Sequence, residues 1–161
     1  MSIPPDIYVA PELVAIQEEI SNQTDRGAAI LAGSILSEFL GRKILEKFTP
    51  TSNRRLVKLF EGFGPLASFS ARIEIGYSIG AIDDDDTYHD LLVIKDIRNE
   101  FAHSIAPMTF QSDQIVKLVK KLKLSVGPMD GYPNVERRLF ALSFIECLLN
   151  INERGVAPNL A

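Results

Sequence analysis

Through most of this chain the apolar residues recur three and four positions apart, the spacing that places side chains on one face of an α-helix. Pro4, Pro5 and Pro11 make residues 1–10 an extended lead-in, and Pro11 suits the first turn of a short helix through Leu13, Ile16 and Ile20. Asn22 to Asp25 can cap a second helix from about Arg26 to Phe48. In it Ala28, Leu31, Ile35 and Phe39 form one stripe, and Ala32, Leu36, Leu40 and Ile44 widen it. A helix apolar around so much of its girth belongs at the centre of a bundle. Pro50 ends it, since proline lacks an N–H and disfavours the helical region for its predecessor.

Thr51 or Ser52 can cap a third, short helix carrying Leu56, Leu59 and Phe60, which breaks at Gly62-Phe63-Gly64-Pro65. A fourth is predicted over Leu66 to Ile79, with Gly80 at its C-terminal cap. Asp83 to Asp86 precede a fifth, whose stripe is Leu91, Ile94, Ile97 and Phe101 and which frays near His103 to Pro107. Gln111 to Leu124 gives a sixth, and residues 125–133 form a Gly/Pro loop. A last helix from about Asn134 to Asn152 should bury Val135, Leu139, Leu142, Ile145 and Leu149. Phe110, or the alternation over Leu122 to Val126, allows a brief strand. Six or seven helices with short connections imply an all-α, single-domain helical bundle.

Composition narrows the functional classes. The chain carries 17 Lys and Arg against 21 Asp and Glu, a net charge of −4, so no overall positive field recruits nucleic acid. The basic cluster Lys117, Lys120, Lys121 and Lys123 reads as the wet face of an amphipathic helix, and no helix-turn-helix pair stands out, so direct DNA binding is not expected. Cys147, the single cysteine, lies in an apolar run and reads as a buried hydrophobe in a cytoplasmic protein. Neither a leader-like N-terminus nor a membrane-length apolar run is present. The Asp83–Asp86 run lacks the ligand spacing of a calcium loop and His89 lacks a partner at ligand spacing, so neither a metal nor a cofactor is expected.

Two stretches carry a recognisable pattern. Gly64-Pro65-Leu66 followed by Ser70-Ala71-Arg72, Tyr77, Ile79, Gly80 and Ile82 is the first, and Tyr88 to His103 is the second. Together they resemble the mannitol-operon-repressor family over roughly Asp25 to Lys123. The resemblance implies an all-helical transcriptional regulator, and with it a regulatory protein partner or a small ligand. Arg98-Asn99-Glu100-Phe101-Ala102-His103 also resembles the signature of the HEPN superfamily. That likeness implies an alternative, a metal-independent endoribonuclease or toxin–antitoxin component.

In the enzyme reading Arg98 steadies a phosphate, His103 moves protons near neutral pH and Asn99 orients the pair. Asn99 and His103, four apart, share a helix face, whereas Arg98 lies about 140° from His103. One copy would then be half a site, completed by a homodimer. In the structural reading Arg98 pairs with a carboxylate such as Asp25 or Asp96, and His103 caps its own helix. Ser70 and Arg72 either line the same binding groove as Arg98 and His103 or tie the fourth helix to its neighbour.

Overall fold

A computed structural model describes residues 11–49, 51–125 and 131–153. Among these residues there are seven α-helices and no strand: α1 (Pro11–Ser21), α2 (Asp25–Glu46), α3 (Asn53–Phe60), α4 (Phe69–Ser78), α5 (Asp85–His103), α6 (Asp113–Val119) and α7 (Val135–Glu153). Helix α2 is the axis, packing against α1, α4, α5 and α7. It starts where Thr24 accepts the Gly27 N–H at 3.1 Å. Its deepest row is Ala28, Ala32, Leu36, Leu40 and Ile44, while Leu31, Ile35 and Phe39 are only half-buried. Small residues set that order: Ala28, Ala29, Ala32 and Gly33 let neighbouring helices close in on one side of α2.

Helix α5 follows its expected stripe, with Leu91, Ile94, Ile97 and Phe101 fully buried. Asp84 caps it, accepting the Thr87 N–H at 2.7 Å. Helix α7 is turned from the expected face. Phe140, Phe144, Cys147, Leu148 and Ile151 are buried, whereas Val135, Leu139, Leu142, Ile145 and Leu149 are half-buried. Aromatic packing selects this face, because the Phe110 ring sits 5.1 Å from Phe101 and 5.0 Å from Phe140, centroid to centroid.

Three other expectations are corrected. Helix α4 begins at Phe69 instead of Leu66, because the Leu66 N–H is donated back to the Leu59 carbonyl and Ser68 caps the helix through the Ala71 N–H. Its end follows the expected cap, with Gly80 in the left-handed region at φ +72°, where a side chain would be strained. Helix α6 stops at Val119 instead of running to Leu124, and Leu122–Ser125 forms no strand. There the N–H groups of Lys123 and Leu124 are both donated at 2.9 Å to the Asp90 carboxylate. Phe110 likewise forms no strand, its N–H going to Asp25 at 2.9 Å. The lead-in over residues 1–10, Pro50, and the part of the Gly/Pro loop at 126–130 lie outside the described residues. Among the described residues no helix is long and apolar enough to cross a membrane.

Candidate functional site

A cleft of 390 Å³ opens between α2, the turn ahead of α4, and α5. Gly33, Ser34, Ser37 and Glu38 form one wall, Ala67, Ser68 and Phe69 another, and Arg72 and Arg98 reach in from α4 and α5. Gly33 is what lets Arg98 lie there, since a Cβ at that position would stand 2.9 Å from the Arg98 Cγ. The Arg98 Nη1 donates to the Oδ1 of its neighbour Asn99 at 2.9 Å.

Arg72 is more heavily engaged. Its Nε donates to the Leu66 carbonyl at 2.8 Å, its Nη1 to the Ser37 carbonyl at 2.8 Å and hydroxyl at 3.2 Å, and its Nη2 to the Phe60 carbonyl at 3.4 Å. The guanidinium also lies 5.4 Å from the centre of the Phe60 ring. One side chain thereby ties α4 to α2, to the end of α3 and to the turn between α3 and α4. Ser70, in the first turn of α4, is exposed and outside the cleft lining.

Arg98 and His103 do not meet within the chain. Arg98 lines the cleft, while His103 is the exposed last residue of α5, outside the lining, and its ring makes no hydrogen bond to the described residues. The helix end it was expected to cap is closed by the Ser104 N–H, donated to the Glu100 carbonyl. The carboxylate partners suggested for Arg98 are also taken elsewhere. Asp25 pairs with Arg137 at 2.7 Å and Asp96 with Lys95 at 2.8 Å.

The remaining polar candidates have structural engagements. His89 Nε2 bonds the Lys121 carbonyl at 2.9 Å, and Asp86 pairs with Lys123 at 3.0 Å. Asp85 accepts from the Tyr77 hydroxyl and Glu74 from the Tyr88 hydroxyl, across two rings stacked at 4.3 Å. The bond to Asp85 holds the Tyr77 phenol above its ordinary pKa; partial desolvation and then the bond to Glu74 do the same for Tyr88. Burial pushes the Cys147 thiol well up, which suits an inert core residue. Among the described residues no three His, Cys, Asp or Glu side chains cluster as metal ligands would.

Sequence reasoning missed the best-connected groups in the molecule. Asp90, fully buried, accepts from the backbone of Lys123 and Leu124 and from the Ser143 hydroxyl at 2.7 Å. Arg137 spans Asp25 and the carbonyls of Ile20, Ser21 and Gln23 at the end of α1. A signal for Asp90 did exist: it occupies the same face of α5 as Thr87, Ile94, Ile97 and Phe101, where a lone carboxylate demands a buried partner.

Comparison with known proteins adds the lineage. The family model described as mannitol repressor (MtlR) matches residues 53–136, just over half of the chain. The chain belongs to the mannitol repressor family. Among solved structures, a chain of the MtlR–HPr complex from Escherichia coli has a similar fold, with a TM-score of 0.70 and 22% identity over 86% of this chain and 97% of that one. At that identity the likeness speaks for the fold. A search of the curated proteins gives no match. In this mannitol-repressor-family chain the matched segment includes Arg72, Asp90, Arg98 and His103, while the α2 wall of the cleft lies ahead of it.

Proposed function

We propose that this chain is a cytoplasmic transcriptional regulator that works by docking a protein partner, HPr being the one to test, and not by reading DNA bases itself. The observation that carries the reading is the fold shared over 97% of a chain solved in complex with HPr, joined to family membership. Charge supports it. The net charge is −4, and in the basic cluster Lys117, Lys120, Lys121 and Lys123 the last is already paired with Asp86, which weakens it for the phosphate contacts that dominate DNA affinity. The reading includes a homodimer, symmetric pairs being the commonest assembly of a soluble chain.

Size exclusion with light scattering tests both parts. The chain alone should run at twice its monomer mass, and purified HPr should join the same peak at micromolar concentration. Separate elution of HPr overturns the docking reading, and a monomeric mass overturns the dimer. A mobility shift specific for one operator at physiological salt, lost on substituting Lys117, Lys120 and Lys121, would show direct base reading instead.

A further inference from the structure

We infer that the cleft between α2 and α5 is a binding site for the phosphate group of a small metabolite, gripped by Arg98. Two guanidinium groups line it, and neither forms an ion pair with a described carboxylate, although acidic residues outnumber basic ones in the chain as a whole. Glu38, the one acid in the lining, is exposed and paired with Arg42 at 3.3 Å. The cleft is therefore a local cationic depression in an anionic molecule.

The hydrogen-bond inventory then selects the ligand. Arg72 spends its donors on the Leu66, Ser37 and Phe60 carbonyls, so it contributes charge. Among the described residues Arg98 uses only Nη1, leaving Nε and Nη2 donors without a partner there, and its stem is already placed against Gly33. The hydroxyls of Ser37 and Ser68 act as acceptors, from the Arg72 guanidinium and the Ala71 N–H respectively, so each keeps its own proton to donate. Apart from the exposed Glu38 carboxylate, which is paired with Arg42, what the described lining offers is thus mainly donors around positive charge. Its complement is an oxyanion that only accepts, and a planar guanidinium matches phosphate oxygens in pairs. A volume of 390 Å³ admits a phosphate together with a short organic chain. The site stands independently of whether the chain docks HPr.

The test is titration of the full chain with inorganic phosphate and with glycerol 3-phosphate at constant ionic strength, followed by amide chemical shifts, with sodium sulfate and sodium chloride as controls. Saturable shifts centred on residues 67–69 and 98 are expected with at least one phosphate compound. Tighter binding of the ester assigns an esterified metabolite as the source, and equal binding assigns the free ion; both support the site. Arg98→Gln should weaken binding about tenfold or more, the loss of one charge-assisted bond, with an unchanged melting temperature. Arg98→Lys, which keeps the charge and loses the fork, should fall between, and it serves as the second reading if the Gln variant does not fold. No saturable shift, a response to chloride equal to that of the phosphate compounds, or affinity unchanged in a folded Arg98 variant would overturn the proposal.

Discussion

The two shortest helices lie at the edge of the bundle, and they are attached in opposite ways. Helix α6, seven residues long, buries Ile115 and Val119 and packs against α5 and α7. The chain on either side of it is held by buried or half-buried carboxylates, Asp25 taking the Phe110 N–H and Asp90 taking those of Lys123 and Leu124. Helix α3, eight residues long, buries no side chain and packs extensively against no other helix. Its end is tied instead by one arginine donating to carbonyls, Arg72 to Phe60 and Leu66. Both segments have helical periodicity, yet only one has a core of its own. Both short helices are anchored by polar groups on neighbouring helices, and losing such a group should have global consequences at α6 and local ones at α3.

The largest effect should come from Asp90→Ala, which leaves two part-buried backbone N–H groups and the buried Ser143 hydroxyl unpaired. At about 1–3 kcal/mol for each buried group left unsatisfied, a global loss of about 3 kcal/mol or more is expected in urea unfolding. A loss below about 1 kcal/mol would break the contrast at its stronger end. Arg137→Ala comes next. It removes the ion-pair partner of Asp25 and frees three carbonyls at and just after the end of α1, at an expected cost of about 2 kcal/mol in the same assay.

Arg72→Ala should act differently. Amide exchange is expected to accelerate through residues 53–66, with the protection of α5 and α7 nearly unchanged; uniform acceleration across the chain would show that α3 is part of the cooperative core after all. The smallest effect concerns the two stacked tyrosines. Their phenols are raised in the folded state, so their hydrogen bonds contribute below the ordinary phenol pKa and are lost as pH rises through the raised value. Ultraviolet titration should show Tyr77 ionising later in the parent protein than in Asp85→Asn; an identical curve would contradict the bond to Asp85.

How much of this was legible in the sequence follows the same division. Helices α2 and α5 could be read because their stripes are long and capped, and Thr24 and Asp84 serve as N-caps where capping was expected. The face of α7 could not, since Phe140, Phe144 and Leu148 compete with Leu139, Leu142 and Leu149 around a helix apolar on most sides. The end of α6 was missed because its cause, Asp90, lies more than thirty residues away in sequence. At the candidate site, the sequence left Arg72 and Ser70 open between lining a groove with Arg98 and His103 and tying α4 to its neighbour; Arg72 borders the cleft beside Arg98 and also makes the tie to α2, whereas Ser70 and His103 fall outside the lining. Spacing along a helix locates a residue on a face; the neighbour that makes the face useful, here Gly33 of α2, comes from the fold.

The central claim is that this mannitol-repressor-family chain regulates through a protein partner. Isothermal titration of the full chain with HPr at physiological salt tests it most directly. The account predicts saturable heat with one HPr per chain and micromolar or tighter affinity; no heat at tens of micromolar protein, together with operator-specific DNA binding by the chain alone, would contradict it.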